Sequence, residues 1–209
     1  MNSHKIITIG RQFGSGGREI GILLAERLGI KCYDNELLSA AAKDSGLCEE
    51  IFKAHDEKPT NSFLYSLVMD SYQGYSAGFG MNNVPLSQQV FLAQFDTIRK
   101  IAKNEDCIFV GRCADYALHD DYDITSIFIS SDEKSRIERI CKRHEVTESK
   151  AREMMIKTDK KRANYYNYYT DKIWGNSSSY DLCINSGKIG IENTVELIIK
   201  YFDMNHLSK

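Results

Sequence analysis

Hydrophobic and polar positions change period several times along the chain, and each change marks an element. Lys5–Gly10 (KIITIG) is short, apolar and β-branched, which predicts a buried strand. Arg18–Leu28 (REIGILLAERL) sets Ile20, Leu23, Leu24 and Leu28 on one helical face, and Gly29 fits the stop. Ile30–Tyr33 reads as a second short strand. Asp34 stands where an N-cap opens a helix over Asn35–Ser45. Strand, loop, helix and strand in this order make the βαβ unit of a parallel sheet.

The middle is less regular. Glu49–Asn61 is polar, and Ser71–Asn83 (SYQGYSAGFGMNN) mixes Gly, Ser, Asn and aromatics, which reads as a mobile surface segment. Pro85 then opens a long helix over Leu86–Lys103, whose apolar face serves either the core or a dimer contact. Cys107–Gly111 and Ile124–Ser130 are buried-strand patterns. Asp132–His144 is a helix with Arg136, Arg139, Lys142 and Arg143 on polar faces. Thr147 caps a further helix that carries KTDKKR and then YYNYY. Leu182–Asn185 is a last strand, and Ile191–Phe202 a terminal helix. Five strands separated by helices predict one doubly wound sheet.

Composition narrows the picture without changing it. A chain of 209 residues, 42% hydrophobic and 27% charged, can bury a sizeable core as a single domain. The net charge of −2 argues against a nucleic-acid polymer as partner, while leaving room for a local basic site. No apolar run reaches the roughly 18 residues of a membrane span, and the N-terminus lacks the pattern of a secretory signal. Six scattered cysteines form no CxxC pair, and five histidines show no metal spacing, so no metal ligands are assigned. Reduced thiols in a cytoplasmic protein are expected.

The strongest chemical signal is the glycine-rich loop GRQFGSGG between the first strand and first helix. Gly10, Gly14, Gly16 and Gly17 let the backbone turn its N–H groups inward, and the helix start adds its positive dipole end. The pattern departs from G-x-x-x-x-G-K-[ST]: Gly10 and Gly16 are one residue too far apart, and Gly17 stands at the lysine position. Arg18 or Arg11 is the candidate replacement for that lysine, because guanidinium grips phosphate with two prongs. Asp34 is either a plain N-cap or a ligand group. The tyrosines Tyr165, Tyr166, Tyr168 and Tyr169 either pack a helix or stack on a base.

With these segments in view, the chain resembles the cytidylate kinase-like family of P-loop nucleoside monophosphate kinases. ITIGRQFGSGGREIG, CIFVGRCADY, ITSIFISSDEKSRIERI, the Asp159–Arg162 run DKKR and YDLCINS follow in the family's order, over nearly the whole chain except roughly residues 50–85. The resemblance implies a three-layer α/β/α P-loop NTPase fold with a five-stranded parallel sheet. It also implies a mobile acceptor-binding segment near 45–85 and a lid near 145–175. Arg11, Gly14, Ser15, Gly16, Gly17 and Arg18 would then hold the donor phosphates, with Arg136 and Arg139 near the donor base or lid. Asp34 and Arg112 would face the acceptor, and Asp159 and Arg162 would close over acceptor and transferring group. Arg18, Asp159 and Arg162 are the catalytic candidates. Met155 stands where cytidylate kinases have an arginine, leaving Arg152 or Lys157 to serve, and Cys113 stands where they have an aspartate.

The implied activity is transfer of the ATP γ-phosphate to a nucleoside monophosphate, CMP or dCMP, with Mg2+ held mostly by water and phosphates. Two rivals stand beside it. One is a kinase for another small molecule on the same fold. The other is a nucleotide-binding module without turnover, motivated by the missing lysine.

Overall fold

The computed structural model describes residues 4–46, 49–57 and 85–207. The irregular stretch Ser71–Asn83 and most of the expected acceptor-binding segment lie outside the described residues. The strands are β1 (Ile6–Arg11), β2 (Lys31–Tyr33), β3 (Cys107–Val110), β4 (Ile124–Ser130) and β5 (Leu182–Asn185). The helices are α1 (Gly17–Leu28), α2 (Asn35–Ser45), α3 (Glu49–His55), α4 (Leu86–Asn104), α5 (Ala114–Leu118), α6 (Glu133–His144), α7 (Glu148–Thr170), α8 (Ser186–Ile189) and α9 (Ile191–Leu207).

The strands form one parallel sheet in the order β2-β3-β1-β4-β5. Alternate side chains leave opposite faces of a strand, so each strand feeds two cores. Ile7, Ile9, Ile108, Val110, Ile127 and Ile129 pack with Ile20 and Leu24 of α1 and Val195, Ile198 and Phe202 of α9. On the other face Ile6, Cys107 and Phe109 meet Leu37 of α2, Ile98 and Ala102 of α4, and Ala114, Ala117 and Leu118 of α5. The result is the expected three-layer α/β/α architecture. Helix α4 buries Val90, Phe91, Thr97 and Ile98, which assigns its apolar face to the core.

Element ends follow local chemistry. Gly29 closes α1 at φ 66°, its N–H donating to Ala25 and Glu26 carbonyls. Asp132 caps α6 by accepting from Ser135 N at 2.9 Å, and Thr147 caps α7 by accepting from Lys150 N. Helix α3, within the stretch read as polar and irregular, hides Phe52 completely. Four of the five described cysteines that were expected to be reduced lie on or beside strands, and all five are free.

The topology places the site. The chain leaves β1 through α1 on one face and leaves β3 through α5 on the other. Neighbouring strands with diverging connections open a crevice at their carboxyl ends. The glycine loop follows β1 and Gly111-Arg112 follows β3.

Candidate active site

The loop between β1 and α1 owes its shape to holders behind it. Gly14 and Gly16 sit at φ 80° and 82°, where a Cβ would be strained. A Cβ on Gly14 would also press on the Arg136 carbonyl and Ile140, and one on Gly16 would collide with Ile191. Five consecutive carbonyls are held by side chains. Arg11 O accepts from Arg162 Nη1 (3.2 Å) and Gln12 O from Ser15 Oγ (2.9 Å). Phe13 O accepts from Arg136 Nε (2.7 Å), Gly14 O from Arg139 Nη1 (2.7 Å) and Ser15 O from the buried Ser186 Oγ (2.6 Å). In a trans peptide the N–H opposes the carbonyl, so the amides after Phe13 and Ser15 turn away from these holders. Gly14, Gly16 and Gly17 accordingly line a cleft of about 200 Å³. The start of α1 adds its dipole there.

Arg136 and Arg139 are thus engaged with the loop backbone. Arg136 is buried rather than on a polar face: it lies on the side of α6 against the loop and pairs with Asp159 of α7. Asp159 also accepts from Phe13 N at 2.7 Å. Helices α6 and α7, joined through Ile137, Ile140, Ala151 and Met155 with Phe13 against them, brace the loop as a unit. Arg152, one stand-in for the missing arginine, pairs with Glu133, and Lys157 is exposed.

A second cluster fills the crevice between β1 and β3. Arg112 is 2% exposed at its side chain. Its Nε and Nη2 donate to the two oxygens of Asp56 at 3.1 Å, and Nη1 donates to Asp34 Oδ1 (3.0 Å) and Val110 O (3.2 Å). Arg11 Nη1 donates to Glu57 Oε1 at 3.0 Å, and Arg162 Nε reaches Glu57 Oε2 at 3.3 Å. Arg18 Nε lies 2.8 Å from Asp34 Oδ2, and Arg11 Nη2 lies 3.9 Å from Asp34 Oδ1. Asp34 makes no capping bond to α2; its carboxylate belongs to the arginines. Three successive residues, Gly111, Arg112 and Cys113, have φ of 82°, 57° and 57°, and this strained turn aims the Arg112 guanidinium back into the crevice.

The electrostatics follow from crowding. Burial pushes the Asp34 carboxyl up, but Arg112 and Arg11 outweigh it and hold the group below the ordinary carboxylate value. Burial likewise opposes ionisation of Glu57, and Arg11, Arg162 and Arg112 together drive it well below its ordinary value. Burial also works against the Arg112 cation, and Asp56, Glu57 and Asp34 overcome it, so its proton is held more tightly than usual. Arg162 is pushed down by burial and by Arg11. Both arginines remain cations at neutral pH.

The structure therefore brings Arg11, Arg18, Asp34, Arg112 and Arg162 together, and sets Arg136, Arg139 and Asp159 behind the loop. Sequence reasoning missed Asp56, Glu57 and Ser186. The tyrosines pack: Tyr165, Tyr166 and Tyr169 are buried, and Tyr169 stacks on Phe91 at 3.8 Å. Trp174 makes an edge contact with Phe128 at 5.2 Å. Among the described residues no group of three or more His, Cys, Asp or Glu could hold a metal ion, and no helix is long and apolar enough to cross a membrane.

A model of the cytidylate kinase-like family matches residues 6–188. The crystal structure of an uncharacterized protein from Eubacterium ventriosum ATCC 27560 is similar over 96% of this chain and 99% of its own, at 34% identity and a TM-score of 0.72. A shikimate kinase from Bacteroides thetaiotaomicron shares the fold over 95% of this chain and 98% of its own, at 12% identity and a TM-score of 0.55. No curated protein matches the sequence.

Proposed function

Because this chain belongs to the cytidylate kinase-like family and has a P-loop kinase fold, we propose that it transfers the γ-phosphate of ATP to CMP or dCMP. The observation that carries the reading is the pairing of an amide cradle with an arginine cluster at one crevice. Phosphoryl transfer between two phosphate groups needs positioning and neutralisation of negative charge more than covalent chemistry.

The amides of Gly14, Gly16, Gly17 and Arg18 hold the donor phosphates, on a loop whose carbonyls from Arg11 to Ser15 are fixed from behind; the Ser15 N–H, expected among them, is already given to Gln12 O at 3.3 Å. Arg18 supplies the cation that a lysine gives in the usual loop: it lies in the first turn of α1, borders the cleft and its side chain is 38% exposed. Arg112 and Arg162 face the acceptor, and Asp34 fixes Arg18 and Arg112 relative to each other. Magnesium, when bound, neutralises charge on the transferring phosphates. The residues fit a metal held mainly by phosphate and water: the Ser15 hydroxyl is buried and given to Gln12 O, and Asp34, the acidic group lining the cleft, is already ion-paired. Water exclusion falls to α6 and the first half of α7, since Tyr165, Tyr166 and Tyr169 anchor the second half in the core.

A panel of acceptors in a coupled ADP-release assay tests the reading. CMP and dCMP are expected to show the highest kcat/KM. Turnover of a hydroxyl acceptor without phosphate would instead favour the second reading, a small-molecule kinase. The charge match among Arg11, Arg112 and Arg162 and their carboxylates is the observation behind that alternative. Nucleotide binding with no turnover across the panel would leave a regulatory module.

A further inference from the structure

Three guanidinium groups in the crevice, Arg11, Arg112 and Arg162, face three carboxylates, Asp34, Asp56 and Glu57. Asp34 leaves the end of β2 and also serves Arg18. Asp56 and Glu57 are different. They trail the short helix α3, and they present four oxygens to the donors that an acceptor phosphate needs. Asp56 takes Arg112 in a two-pronged pair, the geometry in which arginine also holds phosphate. Glu57 bridges Arg11 and Arg162 with one oxygen each. Its backbone sits at φ 51°, a left-handed conformation that a glutamate adopts at a cost.

We infer that Asp56 and Glu57 are built-in occupants of the acceptor's phosphate seat and set its charge selectivity, so that a phosphate monoester dianion displaces them and a monoanion does not. This rests on the acceptor-side reading given above. The exchange is balanced in charge. Two carboxylates leave with two negative charges and regain water, and a phosphate dianion arrives with two charges and three terminal oxygens. A monoanion leaves one guanidinium buried without a counter-charge, which is costly in a crevice where Arg112 is almost fully enclosed.

Trp174, the single tryptophan, lines the same cavity as Glu57, Arg112 and Arg162, so its fluorescence is the readout expected to follow the seat. The full chain is titrated with inorganic phosphate at pH 8, where the dianion dominates, and with acetate as the monoanion. Wild type is expected to bind phosphate weakly and acetate not at all. Glu57→Gln and Asp56→Asn are each expected to bind phosphate about 5- to 10-fold more tightly and to begin to bind acetate, while Glu57→Asp returns to the wild-type pattern. Unchanged or weaker phosphate binding in a folded Glu57→Gln or Asp56→Asn protein overturns the inference. Should both variants fail to fold, hydrogen exchange on wild type decides: phosphate is expected to speed exchange across residues 49–57, and unaltered or slower exchange overturns it. Inorganic phosphate presupposes no acceptor, so a chain that behaves this way yet phosphorylates neither CMP nor dCMP keeps the selectivity device and loses only the cytidylate reading.

Discussion

Arg18 and Ser186 show how differently two single residues serve one loop. Arg18 is a partly exposed cation whose partner Asp34 keeps Arg112 if Arg18 is removed. Arg18→Ala is therefore expected to leave the thermal midpoint nearly unchanged and to lower kcat on the order of 100-fold, the scale of losing one transition-state charge contact. Steady-state kinetics beside a thermal melt checks this; unchanged kcat would remove Arg18 from the lysine's role. Ser186 is fully buried and donates to Ser15 O and, at 3.1 Å, Ser130 O. Ser186→Ala strands the Ser15 carbonyl, at a cost of about 1–3 kcal/mol, and frees that peptide to rotate. The expected signature is an ATP KM raised several-fold with the acceptor KM little altered. Nothing in the sequence marks Ser186, because its role depends on β5 ending beside a loop 171 residues away.

At the scale of elements, α7 joins two environments. Its first half pairs with α6 and carries Asp159 to the glycine loop, and its second half is a tyrosine-rich plug against α4 and α5. Tyr169 stacks face to face on Phe91 and meets Tyr165 edge-on at 4.9 Å. Tyr169→Ala is expected to cost about 3–5 kcal/mol in urea unfolding, as truncation of a fully buried aromatic does. Tyr168, on the half-buried side, should cost much less. The strands and long helices were legible because uninterrupted apolar runs and 3.6-residue spacing are local signals. The βαβ opening, Leu86–Asn104 and Glu133–His144 were read to within a residue or two. Helix α3 was not, since a seven-residue polar helix whose one fully buried side chain is Phe52 has no period to read. The site was legible to the extent that it is a motif: the glycine loop and the arginines after strand ends were found. Asp56 and Glu57 were not, because an ion pair spanning 46 to 105 residues of chain leaves no local trace.

For the whole molecule, the crevice couples charge to stability. Asp34 and Glu57 have folded-state pKa values below their unfolded ones. The stability they contribute is thus fully present above the unfolded value of about 4 and is lost as pH falls through the lower folded values. A melting series is expected to be nearly flat from about pH 5 to 8 and to fall steeply below about 4. Glu57→Gln should flatten that acid limb. A limb of equal steepness in the variant would place the acid sensitivity elsewhere. The crevice lies where β1 and β3 send their connections to opposite faces, so its carboxylates come from two separate segments, and acid should disengage α3 together with the end of β2.

The five anchored carbonyls behind residues 11–15 carry a consequence for calorimetry. A cradle already set before its guest arrives has little surface left to dehydrate and few torsions left to freeze. Loading it with a triphosphate should therefore carry only a small heat-capacity change, in contrast to binding coupled to folding. Titrations repeated across temperature measure that slope directly, and a steep one would mean that the cradle is assembled by its guest.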